Sequence, residues 1–492
     1  MTAPIVVWQG WPHAPAPLVA IAAARRTPGW RLVDDAGRQL PWSAARRGRE
    51  TLRVLWQRAL ASALGAAARL VSGSQPAPAP VTTDAAGPVV LVLPVLPDLS
   101  HTFVYRETLA LLRLHPDWRV VVLRRNAQAP VHPEARALLA RATFLPRDGV
   151  TRAAWRALRW LARARGRDLF ALYRAESGGS PHALLDKLAL REAHHPGNAF
   201  LLADLLRPLR PRHLHVYGST WPTNVAMGAA RLLGAPFSIS SYVDFEFEYS
   251  HRMLAAKFRD ARFFRVVTAH CRRRLASVLP ASATAPERVP VIYLGLDHAD
   301  WREVAPLPGA GVLVSAARIV AKKGLRQVPP ALALLRARGV ACRWIVVGDG
   351  PELAQLRQDC AARGVADLVD FLGPQDNTVV RRELLGADLA VLPCVITADG
   401  ERDGIPIFLV EAMALGVPVV TTPISGIPEL VRDGETGYLA AAGDASALAD
   451  ALARALDNPA AARAVGAAGR AEVHRALDID ILARQLADHI AR

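Results

Sequence analysis

The chain has 492 residues, of which 51% are apolar and 21% charged. That is longer than one hydrophobic core usually organises and too apolar for wholesale disorder, so a single small module and an unstructured chain are both excluded. The net charge of +16 is lopsided, about +19 over residues 1–300 and about −3 over 301–492, which suits an anionic surface facing the front part or reflects an Arg- and Ala-rich composition habit.

Cys271, Cys342, Cys360 and Cys394 form no CxxC pair. Their spacing argues against a disulfide scaffold or structural zinc and suits a reducing cytoplasm. No apolar run approaches the ~18 residues of a membrane span. Met1 to Pro17 lacks a basic stretch before an apolar one, so a signal peptide is not expected.

Residues 1–86 read as an extension that ends in the semi-stiff linker Gln75-Pro-Ala-Pro-Ala-Pro. Within it, residues 46–71 have helical spacing and carry Arg46, Arg47, Arg49, Arg53 and Arg58 beside apolar residues, which fits either a lipid surface or packing on the next domain. From Gly87 the pattern becomes α/β. Strands are expected at Val89–Leu93, Arg119–Leu123, His213–Tyr217, Phe237–Ser241 and Phe264–Thr268, with a helix around Val104–Leu114. The Val/Leu runs of the first two are what a parallel sheet covered on both faces requires. Between them, Arg152–Leu190 is helical and basic, with Trp155, Leu158, Trp160 and Leu161 among seven arginines, so it reads as an interfacial anchor or a core-facing amphipathic helix.

A second series begins near residue 299, with strands at Gly311–Ala316, Trp344–Val347, Val369–Leu372, Leu389–Leu392 and Val417–Thr421. The simplest arrangement is two Rossmann-like parallel-sheet domains, 87–298 and 299–477, facing a cleft, with a last helix, 478–492, crossing back.

The most informative stretch is Asp399-Gly-Glu-Arg-Asp-Gly-Ile-Pro-Ile-Phe-Leu-Val-Glu-Ala-Met-Ala-Leu-Gly-Val-Pro. A helix is expected from Ile405 or Pro406 to just before Gly416, with Asp403 ahead of it and Glu411 eight residues on. At 1.5 Å per residue that is roughly 12 Å, the span of a nucleotide-sugar laid along the helix. The amides of Gly404, Ile405 and Ile407, with Pro406 in the first turn, would meet its diphosphate. Read singly, Asp403 can be an N-cap and Glu411 a solvated helix residue.

Arg318 and Lys323, in Ser315-Ala-Ala-Arg-Ile-Val-Ala-Lys-Lys-Gly-Leu, fall after a strand at the sheet edge where open α/β folds bind ligands, and suit a leaving diphosphate. Lys322 reads as a surface charge. His213 and His215 share a strand face and either line the cleft or pack. His194-His195 lacks the HExxH spacing, and no P-loop, nucleophile elbow or nucleic-acid module is present.

The run Arg318…Lys323-Gly324, Val347-Gly-Asp-Gly-Pro351, Phe371-Leu-Gly, Asp403-Gly-Ile-Pro…Glu411, Gly416-Val-Pro-Val and Gly426-Ile-Pro-Glu-Leu-Val resembles glycosyltransferase family 4, which has the GT-B fold. The resemblance implies that Arg318 and Lys323 bind the donor diphosphate, Glu411 the ribose and Asp403 the transferring sugar, where the family usually carries Glu. In the front domain, Pro97-Asp-Leu-Ser-His-Thr-Phe…Glu107 is similar to the opening of colanic-acid type transferases, making Ser100, His101 and Thr102 candidates in a loop over the donor and acceptor; Ser100 also suits a helix cap. Tyr242 stands where the family commonly has histidine. Either its hydroxyl takes over the sugar contact, or Asp244 and Glu246 reshape the acceptor side; an acidic loop network is the plainer alternative.

The resemblance further implies a retaining transfer from a nucleoside-diphosphate sugar to a glycan or lipid-linked acceptor at the cytoplasmic membrane face, with no cofactor and no metal required. A sugar-nucleotide epimerase, a glycan phosphorylase and a non-catalytic membrane assembly protein are the alternatives.

Overall fold

The structure, a computed structural model, describes residues 5–7, 31–33, 87–98, 102–127, 133–146, 150–176, 196–242, 253–279 and 284–492. The expectations for residues 46–71, His194-His195, Ser100, His101, Asp244 and Glu246 lie outside them. In the front unit, Met1–Ala67, strands β1 (Ile5–Val7) and β2 (Arg31–Val33) pair in parallel.

The second unit, Ala68–Arg492, carries two six-stranded sheets, parallel throughout. The front sheet comprises β3 (Val89–Leu96), β4 (Arg119–Arg125), β5 (Ala142–Phe144), β6 (His213–Tyr217), β7 (Phe237–Ser241) and β8 (Phe264–Val266), in the order β5-β4-β3-β6-β7-β8. The rear sheet comprises β9 (Val312–Ala316), β10 (Arg343–Val347), β11 (Val369–Gly373), β12 (Leu389–Leu392), β13 (Val419–Thr421) and β14 (Tyr438–Leu439), in the order β11-β10-β9-β12-β13-β14. Both orders are doubly wound. Each sheet reverses its direction of growth beside its first strand, opening a crevice at the strands' carboxyl ends between β3 and β6 and between β9 and β12. The central strands are buried on both faces, the physical reason β3 and β12 run Val/Leu without polar alternation.

Helices packed around these sheets include α1 (Thr102–Leu114), α2 (Pro133–Leu139), α3 (Val150–Leu161), α4 (Ala269–Ala276), α5 (Ile407–Ala414) and α6 (Ile479–Ala491). The chain passes between the lobes twice, side by side. Leu296 N donates to Leu477 O at 2.8 Å and Ile479 N to Leu296 O at 3.1 Å. Asp478 caps α6, which lies against α1, where Arg113 meets Asp480 at 2.9 Å.

Helix α3 has the core-facing side expected of an amphipathic helix and leaves the opposite side exposed. Ala157 and Trp160 turn into the core, Trp160 stacking on Phe200, while Trp155 is 74% exposed and Leu158 41%. His213 and His215 pack and do not line the cleft. Ser238 Oγ lies 2.7 Å from His213 Nε2 and 2.8 Å from His215 Nδ1, and Ser240 Oγ lies 2.9 Å from His215 Nε2. Arg265, fully buried, donates to Ser240 Oγ and makes a two-pronged pair with Glu107 at 2.7 and 3.0 Å.

Candidate active site

The rear site grows from the β9/β12 switch point. Beyond β9 the chain runs through Arg318 into a 3-10 turn, Ala321–Lys323, closed by Gly324 at φ 65°. A Cβ on Gly324 would sit 1.9 Å from Pro393 O, so only glycine lets this turn press against the end of β12. Gly348, at φ 136°, similarly abuts Ala317 O on the other side of the loop. Both glycines fix the turn that carries the cations.

Lys323 Nζ lies 2.6 Å from Asp403 Oδ2, and Lys322 Nζ lies 3.4 Å from Asp403 Oδ1 and 2.9 Å from Glu401 Oε1. Lys322 is therefore not a surface charge: its side chain is 12% exposed and braces the loop before α5. Burial alone would raise the Asp403 carboxyl, but the ammonium groups of Lys323 and Lys322 outweigh it and hold the group below the usual carboxylate range. Burial would likewise lower Lys323, yet Asp403 carries it above the ordinary lysine value. Arg318 is exposed at the mouth of the loop, close enough for its charge to oppose that rise. Under the cluster, burial and Asp403 push the Cys394 thiol up to about 12, so it stays protonated, 4.0 Å from Asp403 Oδ2.

Helix α5 begins at Ile407, later than expected, with Pro406 as its N-cap at φ −63° and ψ 129°. Asp403 is thus not the cap. The stretch through Gly404, Ile405 and Pro406 is non-helical, and no side chain caps the first turn. Only Ile407 to Glu411 is helical, about 6 Å along the axis, so the roughly 12 Å expected of an unbroken helix overstates the rise. The helix ends where expected, with Gly416 left-handed at φ 78°.

Glu411 is not solvated. Its side chain is 7% exposed and accepts from Arg106 Nη1 at 3.0 Å, across the cleft from α1. Arg106 Nε donates to Glu134 of α2 at 3.1 Å. Burial raises the Glu411 carboxyl, and Arg106 only partly offsets it. Neither Arg106 nor Glu134 carries any signal in the sequence; a positive charge 305 residues from its partner becomes meaningful only once the lobes are placed.

On the front lobe, Tyr242 follows β7 and is half-buried, with the Phe103 ring edge-on at 4.8 Å and Tyr217 parallel at 6.3 Å. Thr102 is the first residue of α1, so Tyr242 and Thr102 share one end of the front sheet. A further bridge spans the lobes. Glu429, in the Gly426-Ile-Pro-Glu turn, accepts from Ala269 N at 2.8 Å, His270 N at 2.5 Å and the Tyr293 hydroxyl at 2.8 Å. Among the described residues, no group of three or more His, Cys, Asp or Glu side chains could hold a metal ion.

Two sheets of this topology with charged loops meeting at their carboxyl edges define a two-lobed GT-B fold. The family model for glycosyl transferases group 1 matches residues 297–472, the span holding Arg318, Lys323, Asp403 and Glu411. The chain is 30% identical over 290 residues to the GDP-mannose-dependent alpha-(1-6)-phosphatidylinositol monomannoside mannosyltransferase of Mycobacterium tuberculosis, covering 56% of this chain and 74% of that one. The chain belongs to the group 1 glycosyl transferases. It is also 38% identical over 180 residues to the amylovoran biosynthesis glycosyltransferase AmsK of Erwinia amylovora, covering 37% of this chain but only 44% of that one. In fold it is similar to Anabaena HepE, solved in complex with UDP and glucose, with a TM-score of 0.62 at 16% identity over 82% of this chain and 99% of that one.

Proposed function

We propose that the chain transfers a sugar from a nucleoside-diphosphate donor to a hydroxyl of a glycan or lipid-linked acceptor in the making of an exopolysaccharide. One observation carries this reading: Lys323, Asp403 and the neighbouring Arg318 meet at the switch point of the rear sheet, inside the span matched by the family. The relatives named for exopolysaccharide synthesis support the acceptor class.

In the proposed mechanism, which places the chain in family 4, the anomeric configuration is retained by front-face displacement. The acceptor hydroxyl attacks on the side the diphosphate leaves from, and the departing phosphate oxygen takes its proton. Arg318 and Lys323 meet the negative charge that grows on that phosphate, reinforced by the uncapped first turn of α5, so the reading calls for no metal. Asp403 would accept from a sugar hydroxyl while keeping Lys323 charged, Glu411 would take the ribose, and Tyr242 with Thr102 would border the acceptor. Ser100 belongs to the same proposed loop. Catalysis then rests on proximity and charge stabilisation.

No helix among the described residues is long and apolar enough to cross a membrane. The proposed location is the inner face of the cell membrane, where the basic front part would meet anionic lipid.

The test is sugar transfer from UDP-, GDP- and ADP-sugars to lipid-linked glycan acceptors. With donor and acceptor saturating, Arg318→Ala should lower turnover by about 10²- to 10³-fold, the scale for losing one charge-stabilising group. Unchanged turnover would remove the assigned role. Product formed from donor alone would indicate an epimerase, and a requirement for inorganic phosphate a phosphorylase.

A further inference from the structure

We propose that Arg106 gates the nucleotide end of the donor site, occupying Glu411 until the donor's ribose displaces it. The inference rests on the proposed donor site and adds a front-lobe residue that sets how tightly the donor binds.

The guanidinium sits 3.0 Å from Glu411 Oε1, where a ribose hydroxyl would have to donate, and both side chains are 7% exposed. Arg106 and the ribose therefore compete for one carboxylate, and the pair must break before a nucleotide can settle. The guanidinium has somewhere to go. Glu134 lies on its own lobe, already accepts from Arg106 Nε at 3.1 Å, and has its second oxygen, Oε2, buried without a partner. A shift that brings another Arg106 nitrogen to Oε2 turns a single hydrogen bond into a two-pronged one and satisfies that oxygen. The displaced charge is never left alone in a buried site, which would otherwise make breaking the pair costly. Arg106 thus passes between two carboxylates, one on each lobe, and the ribose takes the one it vacates.

Titration calorimetry at pH 8, with UDP, GDP and ADP and their 2′,3′-dideoxy forms, tests this on the full chain. Arg106→Gln should bind the preferred ribonucleotide about tenfold tighter, within the usual range of coupling between competing groups, with no gain for the dideoxy form. Equal or weaker ribonucleotide binding overturns the gate. Glu411→Gln is the control for the underlying reading. If it weakens binding while Arg106→Gln fails to tighten it, the donor site stands and the gate falls; if it binds as the parent does, the ribose assignment fails and the gate with it. Should Arg106→Gln not fold, Glu134→Gln serves. Deprived of its second carboxylate, the guanidinium stays on Glu411 and ribonucleotide affinity drops severalfold; unchanged affinity again overturns the proposal.

Discussion

At the scale of single residues, the buried imidazoles have a measurable consequence. Ser238 has one hydroxyl proton for two ring nitrogens, so it donates to one and accepts from the other, an arrangement that needs the accepting histidine neutral. Burial drives His213 down to about 3 and His215 well below its ordinary value, with neighbouring cationic groups adding to the effect. Unfolded, each would titrate near 6.5. Below that pH the unfolded chain binds protons the folded chain refuses, so the stability these neutral imidazoles provide is complete above about 6.5 and drains away as pH falls toward their folded values. The loss approaches about 1.4 kcal/mol per pH unit for each imidazole. Urea unfolding between pH 7.5 and 5 should show it, and His215→Asn should make the slope shallower; a slope indifferent to that change would mean His215 is charged in the fold. The sequence discloses that the two histidines share a face but not what they face. It discloses Lys323 through its place after a strand and Asp403 through its place ahead of a helix, whereas Lys322 looks like any surface lysine because nothing local reveals that Glu401 and Asp403 fold back onto it.

At the scale of elements, burial decides what is legible. Strand β12 is readable to the residue because layers on both faces cover it and demand an apolar run, whereas β6 and β7 keep polar His and Ser that pair with one another inside the sheet; β5 and β14, at three and two residues, lie on sheet edges and are too short to leave a pattern. Helix α3 is readable as amphipathic, yet its period does not say which tryptophan faces out. Arg156 and Arg159 meet Asp204 at 3.0 and 2.8 Å, pinning the helix so that Trp155 and Leu158 stand clear of the core beside Arg152. An exposed Trp and Leu ringed by arginines suit the headgroup boundary of an anionic bilayer. Trp155→Ser should therefore lower co-sedimentation with vesicles containing phosphatidylglycerol severalfold, with little change in melting temperature because the side chain is largely in water. Equal sedimentation of parent and variant would leave α3 without a membrane role.

At the scale of the whole molecule, the succession of two α/β lobes is legible, while their mutual grip is not, because its partners are 160 and 305 residues apart. In the sequence Glu429 is visible only as part of a motif. Its carboxylate reaches from the rear lobe to two backbone amides at the start of α4 and to Tyr293, while Thr268 caps a third amide by accepting from Cys271 N. A carboxylate at a helix N-terminus is favoured by the helix dipole as well as by its hydrogen bonds. Because the two ends belong to different lobes, that stabilisation acts on closure and not on either lobe's own folding. Glu429→Ala should remove about 1–3 kcal/mol of it, the usual cost of leaving buried donors unpaired, and shift the closed-to-open balance by roughly ten- to a hundredfold. Small-angle scattering should then show a larger radius of gyration, and donor kcat/KM should fall while each lobe keeps its melting transition. A radius and kcat/KM equal to the parent's would mean that closure depends on other contacts, with Glu429 only capping α4.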